Sequence, residues 1–360
     1  MTTCFPHRRV LALTTSHVGN NIFCTPGLRL LRKNLPEMRL DVVAMSARGA
    51  SVFEGNPDID TVYRAALGYR IRRLAAHYDL VLGLHRTNVR LLAGCRANAV
   101  VIEPGPQDQH RADAILDFVQ RLLRCSRSDA DRRYVLAPRR QHHDAVSRLL
   151  GRVPSDQILV GFHLGSGRTA VHGWKFWYPK RDRDERLWPG DNYVALARAL
   201  QERDRCVRIV LTGSRSESFL GRRFAKKVPE TINLIGRTSL LELTALMDRV
   251  RVFVTQDTGA LHVASASGVP LVGLFGVSDP RHTGPYPLAD QHRIIRSTRV
   301  ADIPVVRVLD TVLASLSAPR PAAHAAADAD LASVPTRDAL APQQSALDED
   351  VTVMTTAKAR

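Results

Sequence analysis

Asp257, Thr258, Gly259 and His262 stand within RVFVTQDTGALHVASASGVPLVGLFG, residues 251–276. Small and polar residues between two apolar runs mark the joints of a strand, a loop, a short helix and a second strand. In α/β proteins such joints hold ligands. The chemistry this joint offers is phosphate binding. The Thr258–Gly259 backbone and the helix N-terminus that follows present N–H donors and a positive dipole end to a diphosphate. Gly259 has no Cβ, so the backbone can approach a ligand closely. His262 falls in the first turn of that helix, where it either contacts phosphate or sugar or is a satisfied helix-start histidine.

Two further groups could do chemistry. Arg86 and Arg90 follow an apolar run at 79–84 and either bind an anionic group or form a solvated charged face. Residues 168–190, RTAVHGWKFWYPKRDRDERLWPG, interleave three Trp, one Phe and one Tyr with many charges. Such a mixture stacks sugars or bases and neutralises phosphates, or else is a surface insertion pinned by its aromatic residues.

These residues need a scaffold, and the pattern supplies one. Apolar runs at 9–14, 39–45, 60–63, 79–84 and 98–102 read as strands, with helices between them and a further helix near 108–125. Pro26 fits the first turn of the helix after the first strand. Residues 126–157 are polar and carry Pro138, Gly151 and Pro154, so a domain boundary is expected near 150–157. A second set then begins with ILVGFHLG. It continues through NYVALARALQER, a helix with an expected cap near Asp191, then VRIVLTG, SESFLGRRFAKK, TINLIG, SLLELTALMDR and the 251–276 unit. A helix ending near 317 closes it. Alternating strands and helices mean α/β architecture with mainly parallel sheets. Residues 319–360 hold no aromatic residue and are rich in alanine and proline. A disordered tail is the expectation there.

Composition sets outer limits. The chain has 360 residues, enough for two domains, and a formal net charge of +16. Both halves of 1–318 share the positive excess, while the tail is slightly acidic. Such a surface favours anionic partners without choosing among them. A nucleic-acid partner would rest on charge and the 168–190 segment alone, and none is expected. Five cysteines without CxxC spacing argue against a disulfide scaffold and against structural zinc, and suit small buried residues. No stretch approaches eighteen apolar residues, and the apolar run at the N-terminus is too short for a signal peptide, so a cytoplasmic location is expected.

The block DTGALHVASASGVPLVGLFGVSDP at 257–280 resembles the inverting glycosyltransferases of the lipopolysaccharide heptosyltransferase family. Supporting segments are VGNNIFCTPGLRLLR (18–32), YDLVLGL (78–84), HLGSG (163–167), RLWPGDNYVALARAL (186–200) and LTGSRSE (211–217), in matching order over roughly 9–317. The resemblance implies a GT-B fold of two Rossmann-like domains facing across a cleft. Residues 1–150 would take the acceptor and 151–318 the sugar nucleotide, with the last helix returning to the first domain. It implies a donor, ADP-heptose first of all, and an anionic glycan or glycolipid acceptor at the cytoplasmic face of the inner membrane. No metal and no cofactor are implied. By the same resemblance Asp257 holds sugar hydroxyls, or else caps the turn after it. Arg186 stands in place of a lysine near the nucleotide. Glu217 accepts ribose hydroxyls, and Ser166 and Gly167 lie in the loop facing the donor. Arg86 and Arg90 would bind acceptor anions.

The sequence departs from the family at Gly19-Asn20, where most members have Gly-Asp and the aspartate is the candidate general base. An amide cannot take that proton. Three readings follow. His17 serves as base, with an intrinsic pKa suited to the task. Alternatively, Asn20 orients the acceptor while phosphate or water accepts the proton. In the third reading the chain binds a sugar nucleotide or glycan without transferring. A transferase acting on a protein or small-molecule acceptor is a further alternative.

Overall fold

The computed structural model describes residues 8–65, 67–95, 98–103, 105–106, 108–154, 156–166, 185–319 and 352–354. Gly167, most of the aromatic–basic segment 168–190 and most of the tail lie outside the described residues. The chain divides into two units, residues 1–137 with 325–360, and residues 138–324.

The first unit contains β1 (Arg9–Leu13), α1 (Val18–Asn34), β2 (Arg39–Ala44), α2 (Ala47–Ala50), β3 (Thr61–Arg64), α3 (Gly68–Ala75), β4 (Leu80–Gly83), α4 (Asn88–Leu92), β5 (Asn98–Val101) and α5 (Arg111–Leu123). The second contains α6 (Arg140–Leu150), β6 (Ile158–His163), α7 (Gly190–Arg203), β7 (Val207–Thr212), α8 (Ser218–Lys227), β8 (Ile232–Asn233), α9 (Leu240–Met247), β9 (Val252–Gln256), α10 (Gly259–Ser267), β10 (Leu271–Phe275), α11 (Pro280–Thr283), β11 (His292–Arg296) and α12 (Val305–Ser317). Thr352–Met354 form β12, which returns to the first unit.

The first sheet has the order β12-β3-β2-β1-β4-β5, parallel throughout except for β12, which pairs antiparallel to β3. The second has the order β11-β10-β9-β6-β7-β8 and is wholly parallel. Both are doubly wound sheets. Their strand order reverses between β1 and β4 in the first and between β6 and β9 in the second, and ligands of such sheets bind at the carboxyl ends of those strands. Burial of both faces explains the nearly unbroken apolar runs: Val10 to Leu13, Val252 to Val254 and Leu271 to Val272 are fully buried.

Several elements differ from the sequence expectation. Pro26 lies inside α1, because that helix begins at Val18. A proline there cannot donate to the Ile22 carbonyl. The Thr25 hydroxyl does so instead at 2.8 Å, and in turn accepts from the Val135 amide at 3.0 Å. The polar stretch before 150 contains α6, whose buried His142, Val146 and Leu150 recur every four residues and pack on α9. The units therefore part at 137/138, before the expected boundary. Pro189, rather than Asp191, is the N-cap of α7; Asp191 lies in its first turn and pairs with Lys227. The last helix, α12, packs on α7, β9 and β10 of its own unit. The expectation of a tail without structure fails at β12, where the edge of β3 offers backbone partners that composition does not reveal. Of the described cysteines only Cys24 is buried; Cys95, Cys125 and Cys206 are partly exposed. No described helix is long and apolar enough to cross a membrane.

Candidate active site

The second unit places its expected ligand residues at the reversal point of its sheet. β9 ends at Gln256, and Asp257 and Thr258 lead into α10. Thr258 is the N-cap in extended conformation, but its side chain makes no capping bond. Its hydroxyl lies 3.2 Å from that of Thr255. The first turn of α10 contains no acidic residue. An N-terminus without a side-chain cap keeps its dipole and donors for an anion. Gly268, at φ +69°, stops α10 in the left-handed region and hands the chain to β10. His262 is buried in the first turn. Asp257 is half-buried and accepts from the Thr283 hydroxyl at 3.2 Å, so it ties the β9–α10 joint to the end of α11; the capping position belongs to Thr258.

The facing loop follows β6. Ser166 is buried there, two residues after Leu164. Glu217 is also buried. Its Oε2 accepts from the Ser214 amide at 2.6 Å and the Ser214 hydroxyl at 2.7 Å, closing a capping box before α8. Its other oxygen lies so close to Gly165 that a Cβ there would come within 1.8 Å. The carboxylate thus supports the β6 loop from beneath. His163, at the end of β6, has Nδ1 3.2 Å from the Thr212 hydroxyl. Burial pushes its pKa down, and Glu217 acts in the opposite sense. Arg186 is exposed, two residues before the buried Trp188.

A group that sequence reasoning missed holds these two loops together. Tyr193 donates to Gln256 Oε1 at 2.7 Å, with the His163 carbonyl oxygen 3.2 Å away. Gln256 Nε2 donates to the Leu164 carbonyl at 3.2 Å. The β6 and β9 ends are therefore bridged by buried hydrogen bonds, and burial pushes the Tyr193 phenol up, keeping it neutral. Trp188 packs edge-on against Tyr193 at 4.8 Å and donates to the Ile303 carbonyl at 2.9 Å. The only sequence signal for this bridge was the cluster of aromatic residues around Pro189.

The first unit has the corresponding arrangement between β1 and β4. His17 is the exposed N-cap of α1, with Nδ1 3.3 Å from the Ser16 hydroxyl. Asn20, partly exposed, accepts from Arg111 Nη1 at 3.3 Å. Below it Asn21 is buried, and its amide satisfies both backbone groups of Thr15 and the Gly49 carbonyl. After β4, His85 donates its backbone N–H to Asn88 Oδ1, while Asn88 Nδ2 donates to the Thr14 carbonyl at 3.1 Å. Two buried amides, Asn21 and Asn88, thus fix the loops that carry His17 and His85. The charges of Arg111, Arg86 and His17 all act on His85 and, after burial, push its pKa down. Arg86 and Arg90 are both exposed on the segment after β4. Among the described residues no group of three or more His, Cys, Asp or Glu side chains could hold a metal ion.

Residues 176–309 match the model described as glycosyltransferase family 9 (heptosyltransferase). The family match is to glycosyltransferase family 9. Lipooligosaccharide heptosyltransferase 2 of Haemophilus influenzae is 34% identical over 114 residues, 30% of this chain. The chain spans 32% of that relative's length. Two solved structures carry the fold comparison further. A family 9 glycosyl transferase from Veillonella parvula superposes with a TM-score of 0.70 at 20% identity, covering 86% of this chain and 97% of its own. The ADP-heptose LPS heptosyltransferase II of Escherichia coli gives 0.66 at 21% identity, covering 86% and 98%. The two parallel sheets, each flanked by helices, form the two-domain GT-B-like α/β fold of these family 9 structures.

Proposed function

We propose that the chain is a metal-independent inverting glycosyltransferase that moves a sugar, heptose from ADP-heptose in the first instance, to a lipopolysaccharide core or related glycan. The observation that carries this reading is the N-terminus of α10, left without a side-chain cap by Thr258 at the reversal point of the second sheet. In this reading the second unit binds the sugar nucleotide and the first binds the acceptor. The diphosphate lies on the Thr258–Gly259 backbone, with His262 and Arg186 contributing donors and charge. Asp257 holds sugar hydroxyls. Ser166 and Gly167 border the donor, and Glu217 supports their loop.

The reaction is a single displacement. His17 takes the acceptor proton as Asn20 orients the hydroxyl. The hydroxyl oxygen bonds to the anomeric carbon, whose bond to the diphosphate oxygen breaks, and the electron pair leaves on the nucleoside diphosphate. Backbone donors at α10 stabilise the charge that develops there. With a glycolipid acceptor, transfer would run at the cytoplasmic face of the inner membrane.

Thermal stabilisation by a panel of nucleotides and sugar nucleotides tests donor binding, with ADP-heptose expected to stabilise most. Turnover of the bound donor is then compared in wild type and His17→Ala. A loss of about 10²-fold or more is expected from removing a general base; unchanged turnover would remove His17 from the mechanism. Asn20 supports one second reading, a homologue that binds without transfer. Donor stabilisation without turnover for any glycan acceptor would favour it.

A further inference from the structure

The carboxylate of Glu217, to which the resemblance gives the ribose hydroxyls, is engaged elsewhere. Its Oε2 accepts from the Ser214 amide and hydroxyl, and its Oε1 is turned under Gly165. The end of β6 holds another acceptor. Phe162 and Leu164 point into the core of the second unit. Side chains alternate along a strand, so His163 stands on the opposite face. It is in register with Thr212 of β7 on one side and Thr255 of β9 on the other. The three form a polar row across the last rung of the sheet, and Thr255 leads on to Thr258 at the start of α10. Thr212 and Thr255 are fully buried, while His163 is partly exposed.

The hydrogens of this row can be followed one by one. The Thr212 hydroxyl donates to the Phe162 carbonyl at 3.3 Å, so its oxygen is left to accept from His163 Nδ1 at 3.2 Å. The Thr255 hydroxyl donates to the Gln256 carbonyl at 3.1 Å, so the bond between Thr255 and Thr258 is donated by Thr258. With the ring hydrogen on Nδ1, Nε2 of the neutral imidazole is a bare acceptor. Burial favours that neutral form against the opposing charge of Glu217. Among the described residues no donor reaches Nε2. A neutral acceptor suits this place, because a second carboxylate would repel a diphosphate at α10. Neighbouring strand ends lie about 4.8 Å apart. His163 therefore stands one strand from Thr255 and the α10 joint, on the scale that separates a ribose from the diphosphate it carries.

We propose that His163 binds the sugar nucleotide, its Nε2 accepting a hydrogen bond from a ribose hydroxyl, while Glu217 supports the loop beside it. The proposal rests on the second unit taking the sugar nucleotide.

The test reads binding without turnover. The full chain is titrated calorimetrically with ADP, 2′-deoxy-ADP and 3′-deoxy-ADP. Wild type should bind one of the deoxynucleotides about tenfold more weakly than ADP, and which one identifies the hydroxyl. His163→Asn keeps a donor near the place of Nδ1 but has no atom at the place of Nε2. It should bind all three alike, about tenfold more weakly than wild type binds ADP, with a circular dichroism melt verifying that it is folded. Equal binding of the three by wild type, or unchanged discrimination in His163→Asn, overturns the proposal. Nitrogen-15 spectra of histidine-labelled wild type give an independent readout, with the His163 signal assigned by its loss in His163→Gln. Nε2 should carry no hydrogen in the free protein and should shift as a hydrogen-bond acceptor with ADP. A hydrogen on Nε2 before or after ADP overturns the proposal. ADP binding without discrimination removes His163 and leaves the glycosyltransferase reading standing, whereas no ADP binding by wild type counts against both.

Discussion

Replacing Gly165 by alanine should loosen the donor loop through a residue far away in sequence. The new Cβ would lie 1.8 Å from Glu217 Oε1, 2.4 Å from its Cδ and 3.0 Å from its Cγ. A free carboxylate would swing away at little cost. This one is buried and tied through Oε2 to the Ser214 amide and hydroxyl at 2.6 and 2.7 Å. Moving it breaks charge-assisted bonds and opens the cap before α8. Overpacking of this kind costs about 1–3 kcal/mol, and a lost bond to a charged group about 1.5–3 kcal/mol. These costs are alternatives in part, so about 3 kcal/mol is expected. For a unit of this size that lowers the melting temperature by about 6–12 °C. The decisive assay is a double-mutant cycle followed by urea unfolding, with ADP binding measured alongside. On a Glu217→Ala background the same Gly165→Ala change should cost less than about 0.5 kcal/mol, since its obstacle is gone. Additive costs, or a Gly165→Ala protein as stable as wild type, would refute the reasoning.

Tyr193→Phe removes the donor to Gln256 Oε1 and should cost about 1–2 kcal/mol in urea unfolding, with weaker donor binding because the β6 and β9 ends lose their bridge. His292 is held by burial at a pKa of about 4, below its ordinary value near 6.5. The unfolded chain therefore binds the extra proton first, and the stabilisation present above pH 6.5 is lost as pH falls from there to 4. Unfolding free energy measured across this window should contain a His292 slope of about 1.4 kcal/mol per pH unit that His292→Gln abolishes; an unchanged slope would contradict the assignment. Ending the chain after residue 351 uncovers β3, and light scattering should detect self-association absent from the full chain.

The parts of the fold that follow from local periodicity were legible in the sequence. The unit from β9 through α10 to β10 was read directly, because buried parallel strands are continuous apolar runs and α10 ends at a glycine. What depended on partners distant in sequence was not legible. Pro26 signals a helix start unless Thr25 is known to satisfy Ile22. The three buried residues of α6 are hidden among charged neighbours, and only α9 explains them. At the site, the residue types around Thr258 led to the expectation of a phosphate site at a helix start, and α10 does begin there without a side-chain cap. The direction of the Glu217 carboxylate, turned under Gly165, did not follow from its type. Arg111 and His85 were missed because their significance lies in nearness to Asn20 and His17, which sequence separation conceals. Tyr193 was read only as part of the NYVALARALQER helix, yet its hydroxyl connects two strands.

The pairing of β12 with β3 also constrains the order of synthesis. A ribosome makes β1 to β5 well before it reaches residues 352–354, and domains tend to fold as they emerge. The first sheet therefore passes through most of translation with an exposed strand edge, the kind of surface that recruits another nascent chain on the same message. Until the tail arrives, the backbone groups of β3 that β12 pairs are left open. Crowded polysomes, more than the finished protein, are where changes at 352–354 would first reduce yield.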